Sequence, residues 1–503
     1  MALNPALAVP AFSRRNTLIA AATLVAAGIA VHANSLTVPF FFDDRLAIVE
    51  NPTIRHLAAL GQVLSPPANG SGVDGRPLVN LSFALNYAFG GTAVRGYHVV
   101  NLIIHVLAGL TLFGLVRRML TGWRSDRHQS RPDDQVTWWA LAVAGLWLVH
   151  PLQTETVTCV IQRTESLVSL FYLTCLYASV RAMQSPRGGL WTALAVFAAL
   201  AGMATKEVMV TAPTLVLLLD RTFISGSFTA AWRRHRYLHL GLAATWLLLA
   251  LLLLRTGGSR GTVAGFGLGV TPWTYALTQC EAITTYLWLA VWPQNLLLDY
   301  GTDVVANAAQ VIPEGLTVLA LVGGTGLALW RRPAVGFLGA WFLIILSPSS
   351  SFVPLVSQTI AEHRMYLPLA AVIAGLVAAL HVWLGRRGLL VCLALAVGLG
   401  ARTVARNDTY RNEVSILTDT VAKRPGNVRA LNNLGNALAR AGRTDEALVR
   451  LRAALQLKPD HAPAHANLGN VLDLLNRLPE AETEMREALR LDPNHNKARY
   501  NLG

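Results

Sequence analysis

Long apolar segments recur along the first 400 residues of the chain and constrain its fold more than any other feature. Of the 503 residues, 53% are hydrophobic and 14% are charged. Soluble domains carry roughly 25% charged residues, so most of this chain belongs in lipid. A helix needs roughly 20 apolar residues to cross a bilayer. We therefore predict an all-α, polytopic membrane fold with about eleven transmembrane helices, near 17–33, 98–116, 138–150, 166–182, 190–204, 208–220, 237–254, 312–330, 335–347, 367–384 and 388–404.

The distribution of arginine predicts the orientation of these helices. Arg14 and Arg15 precede the first apolar segment and place the N-terminus in the cytoplasm. Loops on that side then hold about fifteen Lys and Arg residues, against about five in the opposite short loops. This asymmetry requires that residues 273–291, which include Gln279 and Glu281, lie at the interface or re-enter instead of crossing. We expect a multi-pass inner-membrane protein whose C-terminal tail is periplasmic.

The net charge of +14 at first suggests a nucleic-acid partner. The arginines, however, cluster in short loops between apolar segments and form no continuous basic face. We therefore expect membrane lipid, and no nucleic acid, to be the partner of these charges.

The tail after residue 405 has a different composition and a fixed period. Pro425, Pro459 and Pro493 are 34 residues apart, and so are three Asn-Leu-Gly triplets that begin at Asn433, Asn467 and Asn501. This is the period of the tetratricopeptide (TPR) repeat, a pair of helices that stacks into a solenoid. The predicted domains are a membrane domain at 1–405, with an outer loop at 35–96, and a TPR domain at 406–503, with a half repeat at 410–426, repeats at 427–460 and 461–494, and a partial repeat at 495–503.

TPR arrays present a concave groove to peptides, so the tail predicts a protein or peptide partner. Asn433, Asn467 and Asn501 occupy the same position in successive repeats. Their amides are able to hydrogen-bond the backbone of an extended peptide irrespective of its sequence. Asparagine is also common at this position for helix packing alone, and that alternative stays open.

Compact groups of ionisable residues lie beside the spans on the predicted outer side. A charge at a membrane boundary is costly unless it is paired or hydrated, so such a collection suggests a functional site. The alternative for any one group is that it anchors the end of a helix. The groups are Asp43-Asp44-Arg45, Arg76, His98, His150, Glu155, Arg163, Glu165, Lys206-Glu207 and Glu362-His363-Arg364.

Asp43 and Asp44 are distinctive because they follow the apolar sequence Pro39-Phe40-Phe41-Phe42. Adjacent side chains in an extended chain point to opposite sides, so the two carboxylates need not have the same role. One is able to accept a proton from an attacking hydroxyl while the other orients a substrate or holds a cation. The alternative is an exposed turn with an aspartate helix cap.

A set of short motifs, in this order and with the TPR tail, resembles the TMTC proteins, which are transmembrane and TPR-containing O-mannosyltransferases. The motifs are Phe42-Asp43-Asp44, Gly75-Arg76-Pro77-Leu78, Gly96-Tyr97-His98-Val99-Val100-Asn101-Leu102, His150-Pro151-Leu152-Gln153-Thr154-Glu155, Ala204-Thr205-Lys206-Glu207 and Glu362-His363-Arg364-Met365-Tyr366-Leu367-Pro368. The resemblance implies a GT-C fold, in which a multi-span helical glycosyltransferase takes a sugar from a polyprenyl-phosphate carrier outside the cytoplasm. The arginine-rich, lysine-poor loops are typical of a bacterial member.

The resemblance also implies roles for the outer residues. Asp43 and Asp44 would be catalytic, with one as general base toward a protein Ser or Thr hydroxyl, and the sugar would be mannose. No cofactor or metal is implied beyond the lipid-linked sugar donor. Fixed cations suit the donor phosphate, and the candidates are Arg76, Arg163, Arg364 and Lys206. The remaining candidates for the pocket are His98, His150, Glu155, Glu362 and His363.

Two other functions are compatible with parts of the sequence. A membrane-anchored TPR scaffold without activity would need the tail but not the outer carboxylates. A transporter would place ionisable residues in mid-membrane and show an inverted repeat, and neither feature is evident in the sequence.

Overall fold

The computed structural model describes residues 13–67, 70–125, 133–255, 270–301, 303–351, 353–355 and 358–502. Within these ranges the chain is helical and contains no β-strand, which confirms the predicted all-α class. The chain divides into two compact units. The first comprises Met1–Gln294, Val304–Ser357 and Glu362–Asp408, and the second comprises Asn295–Asp303, Gln358–Ala361 and Thr409–Gly503.

The helices of the first unit are α1 (Arg14–His32), α2 (Leu60–Val63), α3 (Pro77–Gly90), α4 (Val94–Ser125), α5 (Asp133–Leu148), α6 (Thr154–Thr158), α7 (Arg163–Gln184), α8 (Gly188–Met203), α9 (Ala212–Leu219), α10 (Phe228–Arg255), α11 (Pro272–Val291), α12 (Ile312–Arg331), α13 (Pro333–Leu346), α14 (Leu369–Leu384) and α15 (Gly388–Thr409). Proline occupies the first turn of several of them, where its missing N–H costs no hydrogen bond.

Seven helical stretches among the described residues are long and apolar enough to cross a membrane. They are Arg14–Ser35, Val94–Thr121, Val160–Gln184, Glu207–Ser225, Phe228–Arg255, Ala308–Arg331 and Leu369–Thr409. Three shorter apolar helices are Gln135–Leu148, Gly188–Met203 and Pro333–Leu346. The chain is therefore a multi-pass membrane protein, while the number of eleven spans, the inner membrane and the orientation stay predictions.

Some apolar side chains of the first unit pack in a core, and others are exposed on its surface. Helix α7 packs against α4 and α8, and α4 also packs against α5. At the centre, the indole N–H of Trp147 donates to the carbonyl of Tyr366 at 2.7 Å. By contrast, α12 buries none of its residues, and its Leu319 and Trp330 are exposed. A helix with so much exposed apolar surface is suited to lipid.

The loop at 35–96, which we call the outer loop after its predicted side, packs with neighbouring residues into a small core. The buried apolar residues come from the loop, from α4 and from the residues just before α7: Ala47, Ile48, Ile54, Val63, Val73, Val79, Phe83, Ala84, Tyr97, Val160 and Ile161. Two buried amides cross-link the loop, because the Asn51 amide donates to Oδ1 of Asn80 at 2.9 Å and the Asn80 amide donates to the carbonyl of Val63 at 2.7 Å. This loop is therefore a rigid support for the residues that it carries.

The second unit contains the tail helices α16 (Glu413–Lys423), α17 (Val428–Arg440), α18 (Thr444–Leu457), α19 (Ala462–Leu474), α20 (Leu478–Leu491) and α21 (Asn496–Leu502). They alternate as the 34-residue period predicts, which confirms the TPR fold. Glycine is required where paired helices touch, because a Cβ on Gly435 would lie 2.5 Å from Leu451 and one on Gly469 would lie 2.7 Å from Met485. The boundary predicted at residue 405 falls inside α15, and the C-terminal part of the second unit begins at Thr409.

Candidate active site

Asp43 and Asp44 lie in a tight turn at the start of the outer loop. The N–H of Asp44 donates to the carbonyl of Phe41, and the N–H of Arg45 donates to the carbonyl of Phe42, both at 3.1 Å. Phe42 has a φ of +52°, in the left-handed region that a bulky residue rarely adopts. Such backbone strain persists only where the surrounding structure imposes it, and it is concentrated at functional sites.

Both carboxylate oxygens of Asp44 accept backbone hydrogen bonds, and the side chain is almost inaccessible to solvent. Its side chain is 1% exposed, and its Oδ1 accepts a 2.7 Å hydrogen bond from the N–H of Ile161 while its Oδ2 accepts one from the N–H of Phe41 at 3.4 Å. Burial raises the pKa of this carboxyl to about 7, although the backbone donors oppose the rise. Asp44 therefore joins the outer loop to the start of α7.

Asp43 has the opposite environment. Its side chain is exposed and has no hydrogen-bond partner among the described residues. The protein around it still displaces enough water to raise the pKa of the carboxyl, and the positive charge of Arg76 opposes that rise. An accessible carboxylate with a raised pKa and a nearby cation is suited to proton transfer.

Arg76 and Lys206 are two of the predicted phosphate-binding cations, and both have acidic neighbours. The Arg76 guanidinium donates to the carbonyl of Gly72 at 2.7 Å and lies 3.7 Å from the Glu207 carboxylate, while its Nε has no partner among the described residues. Lys206 forms an ion pair with Glu165. Gly75, with a φ of +65°, allows the turn that leads from the loop into α3 and places Arg76 at its start.

Arg163 is a structural clamp in this arrangement. The side chain is fully buried, its Nε donates to Oδ1 of Asn101 at 2.7 Å, and its two terminal nitrogens donate to Oδ1 of Asn86 at 2.6 Å and to the carbonyl of Tyr97 at 2.9 Å. The ring of Phe83 lies 4.7 Å from the guanidinium carbon. Every guanidinium nitrogen thus donates to a protein group, and binding of the donor phosphate by Arg163 stays a prediction.

Glu155 and His363 form a close pair, although 208 residues separate them. The Glu155 carboxylate accepts from the backbone N–H of His363 at 3.1 Å and contacts its Nδ1 at 2.8 Å. The neighbouring residues Glu362 and Arg364 are also buried, and the Arg364 guanidinium donates to the carbonyl of Ser349 at 3.2 Å. The predicted pocket residues Glu155, Glu362 and His363 are thus brought together.

The other two histidines of the predicted pocket contact backbone groups. Nδ1 of His150 accepts from the N–H of Leu152 at 3.2 Å, and its Nε2 lies 3.2 Å from the carbonyl of Ala290. Burial lowers the pKa of His150 to about 4, so its ring is neutral at physiological pH. Nε2 of His98 contacts the carbonyl of Val38 at 2.7 Å, which ties α4 to the end of the chain segment that precedes Asp43. Both rings therefore brace the backbone around the site.

Arg406 is a buried cation that the sequence analysis did not identify. It lies in the last turn of α15. Burial raises the pKa of the Cys159 thiol, and the carboxylates of Glu155, Asp44 and Glu362 raise it further while Arg406 lowers it. These four charged groups therefore surround Cys159. An arginine at the end of a predicted span was the available signal, but nothing local distinguished it from a membrane-interface anchor.

Side-chain hydrogen bonds connect two of the three predicted TPR asparagines. The amide of Asn467 donates to Oδ1 of Asn432 at 2.9 Å, and the amide of Asn432 lies 3.3 Å from Oδ1 of Asn433. The structure thus links Asn433 and Asn467 through Asn432, a residue that the sequence analysis did not single out. The side chain of Asn501 lies outside the described part of the chain.

The described residues contain no group of three or more His, Cys, Asp or Glu side chains arranged to hold a metal ion. The groups around the acidic pair are instead carboxylates and fixed cations. Such a set is suited to accepting a proton and to stabilising an anionic leaving group.

Comparison with protein families connects both units to known groups. Residues 58–260 match the family of the GPI transamidase subunit PIG-U. Residues 414–460 and 438–502 match tetratricopeptide-repeat families.

Several curated proteins are similar to the chain along most of its length. The protein O-mannosyl-transferase Tmtc1 of Drosophila melanogaster is 27% identical, with 86% of this chain and 60% of the relative covered. A protein O-mannosyl-transferase of Caenorhabditis elegans, F38B6.6, is 25% identical, with 89% and 63% covered. The human protein O-mannosyl-transferase TMTC4 is 27% identical, with 85% and 65% covered. The chain thus spans about three fifths to two thirds of the length of these relatives.

The similarity covers most of the chain, and it agrees with the resemblance to the TMTC proteins that the sequence motifs indicate.

Proposed function

We propose that the protein is a membrane glycosyltransferase that moves a sugar from a polyprenyl-phosphate carrier to a hydroxyl group on the non-cytoplasmic face. The relatives are named protein O-mannosyl-transferases, so mannose and a protein Ser or Thr hydroxyl are the proposed sugar and acceptor. The observation that carries the proposal is the contrast between an accessible Asp43 and a buried Asp44 in one strained turn.

Asp43 is the proposed general base. Its carboxylate is accessible and accepts no hydrogen bond from the described part of the chain, so it is available to accept the proton of an attacking hydroxyl. Asp44 is the proposed positioning residue, because its two oxygens are bonded to the backbone of Ile161 and Phe41. This division of roles explains why two adjacent carboxylates are useful where one would suffice as a base.

Arg76 is the proposed cation nearest the reaction centre, since its charge acts on Asp43. Its unpartnered Nε and its location at the start of α3 allow it to contact the phosphate of the donor. Arg364 and Lys206 are further candidates for the same anion. Fixed cations in a site with little water stabilise the charge that develops on the leaving phosphate.

The TPR repeats are the proposed contact for the acceptor protein. Asn433 and Asn467 lie on successive repeats and have partly accessible side chains, so their amides suit the backbone of an extended peptide.

The proposal is tested with the full chain in membranes and a labelled polyprenyl-phosphate sugar. We expect Asp43→Asn to reduce transfer by about 10²–10⁴-fold, the usual contribution of a general base. The matched control is Glu50→Gln, which removes an exposed carboxylate from the same loop. Transfer that persists in Asp43→Asn at the level of the control would exclude Asp43 as the base.

A further inference from the structure

His363 has one open ring nitrogen. Its backbone N–H and its Nδ1 both face the Glu155 carboxylate, at 3.1 and 2.8 Å. A carboxylate only accepts hydrogen bonds, so Nδ1 carries a hydrogen and the ring presents Nε2 outward. Nε2 has no hydrogen-bond partner among the described residues, whereas His98 and His150 use theirs on backbone carbonyls.

The turn that carries His363 is rigid. Residues Glu362–Met365 form a buried 3-10 turn. The next residue, Tyr366, is buried too, and its hydroxyl contacts Nδ1 of His105 on α4 at 2.7 Å. Its carbonyl accepts from Trp147 on α5. Contacts from α4 and α5 therefore fix Tyr366 directly after the turn, and Glu155 of α6 orients His363 itself. A group that transfers a proton requires such a fixed orientation.

One segment of chain connects this histidine to the acidic pair. Residues 150–165 are buried throughout except for Gln162. The segment supplies Glu155, which holds His363, and the N–H of Ile161, which holds Asp44. The N–H of Cys159 donates to the carbonyl of Glu155 at 2.9 Å and closes the turn between the two contacts. His363 and Asp44 are thus positioned by residues six apart in sequence.

Charged groups from four elements act on Cys159, which lies between Glu155 and Ile161 in this segment. They are Glu155 from α6, Glu362 from the His363 turn, Arg406 from α15, and Asp44 from the outer loop. Arg364 lies in the His363 turn as well. The carboxylate that contacts Nδ1 fixes the tautomer and the orientation of the ring, as a carboxylate partner does in hydrolytic triads. The adjacent guanidinium of Arg364 favours an anion beside it.

We propose that His363 donates a proton from Nε2 to the phosphate that leaves the lipid carrier, and that Glu155 positions its ring. This step rests on the glycosyl transfer proposed above. The acceptor oxygen bonds to the anomeric carbon and loses its proton to Asp43. The bond between the anomeric carbon and the phosphate oxygen breaks, its electron pair stays on that oxygen, and the Nε2 proton of His363 passes to the phosphate.

Asp43 and His363 change their protonation in opposite directions during the transfer. Asp43 begins ionised and ends protonated, while His363 begins as imidazolium and ends neutral with its hydrogen on Nδ1. The two groups are restored by proton exchange with water after release of the products. Transfer should accordingly fall at low pH, where Asp43 is protonated, and at high pH, where His363 is neutral.

The test uses the purified full chain, labelled polyprenyl-phosphate mannose and a synthetic peptide rich in serine and threonine. We expect His363→Gln to lower kcat by about 10²-fold or more, to change the donor KM little, and to remove the alkaline limb of the pH profile. Glu155→Gln should lower kcat with little change in the donor KM, because the ring loses the partner that fixes its orientation. The matched control is His56→Gln, an exposed histidine of the outer loop, which should leave both limbs in place.

The possible outcomes distinguish the proton-donor role of His363 from the glycosyl transfer itself. An alkaline limb that persists in His363→Gln, or a loss confined to the donor KM, overturns the proton-donor role while wild-type transfer upholds the glycosyltransferase. A wild-type protein that transfers nothing from this donor overturns both. If His363→Gln does not elute as a folded protein in detergent, the kinetics of Glu155→Gln decide: a lower kcat at an unchanged donor KM supports the role, and an unchanged kcat rejects it.

Discussion

The backbone N–H of Ile161 donates a 2.7 Å hydrogen bond to Oδ1 of Asp44, although 117 residues separate them. The contact joins the first outer loop to the start of α7 within a shared apolar core. Because Asp44 is committed to this contact, Asp43 is the carboxylate of the pair that remains available for chemistry.

The buried Asp44 predicts a specific dependence of stability on pH. Its pKa rises from an ordinary value of 3.8 to about 7 on folding, so the folded state binds the proton more tightly than the unfolded state. The resulting stability is fully present below pH 4 and is lost as the pH rises toward 7, on the order of 4 kcal/mol at about 1.4 kcal/mol per pKa unit. Thermal unfolding in detergent at pH 5 and pH 8 measures the loss.

Asp44→Asn provides the comparison for that measurement. The amide cannot ionise, so the difference in unfolding temperature between pH 5 and pH 8 should be smaller in the variant than in the wild type. Equal differences in both proteins would show that other groups govern the pH dependence.

The left-handed backbone conformation of Phe42 predicts which substitutions at this position preserve sugar transfer. Asparagine tolerates a φ of +52°, whereas a β-branched residue does not. We therefore expect Phe42→Val to reduce sugar transfer more than Phe42→Asn, because the strained variant displaces Asp43 from its position. Initial rates of transfer in membranes, normalised to the amount of folded protein, measure the difference. A Phe42→Val protein as active as Phe42→Asn would contradict a role for the turn geometry.

Even a conservative substitution of Arg163 should destabilise the protein. Lysine cannot reproduce the planar set of contacts to Asn101, Asn86 and Tyr97. Arg163→Lys leaves some of these buried groups unpaired and is expected to cost on the order of 3 kcal/mol. Yield and unfolding temperature of the purified protein measure the cost. Arg187→Lys, at an exposed position, is the control and should behave as the wild type.

The sequence predicted the elements better than the contacts between them. The 34-residue period of the prolines and asparagines is a local pattern, and it sufficed to predict the TPR helices. The role of Arg163 was not predictable, because its partners lie at positions 82–101 and sequence patterns do not show which cation is saturated. The pairing of Glu155 with His363 spans 208 residues and depends entirely on tertiary packing. The sequence singled out Asp43 and Asp44 as a pair, but it did not show which of the two is buried.

Arg406 should be needed for the stability of the fold. It acts on the same buried thiol as Asp44, Glu155 and Glu362, and its neighbour Asn407 accepts a 3.1 Å hydrogen bond from Thr158. Arg406→Gln removes a buried cation from a region that contains buried carboxylates, so it should lower the unfolding temperature of the purified protein. Thermal unfolding in detergent measures the change.

Arg402→Gln is the matched control for Arg406, because Arg402 lies one turn earlier on the same helix and is exposed. It should leave the unfolding temperature unchanged. Equal unfolding temperatures for the two variants would show that the buried charge of Arg406 does not stabilise the fold.

Within the second unit, the segment Asn295–Asp303 stabilises the start of the TPR helices. The guanidinium of Arg429 contacts both oxygens of Asp299 at 2.5 Å, and the amide of Asn427 donates to the carbonyl of Asp299 at 2.9 Å. Arg429→Gln leaves the half-buried carboxylate without its cation and should cost about 1.5–3 kcal/mol. Since 1.4 kcal/mol is a factor of ten in an equilibrium, cleavage of the tail by a protease under native conditions should accelerate at least tenfold. Arg450→Gln, which removes an exposed arginine of α18, should not change the rate. Equal cleavage of both variants would show that the TPR helices are stable without this contact.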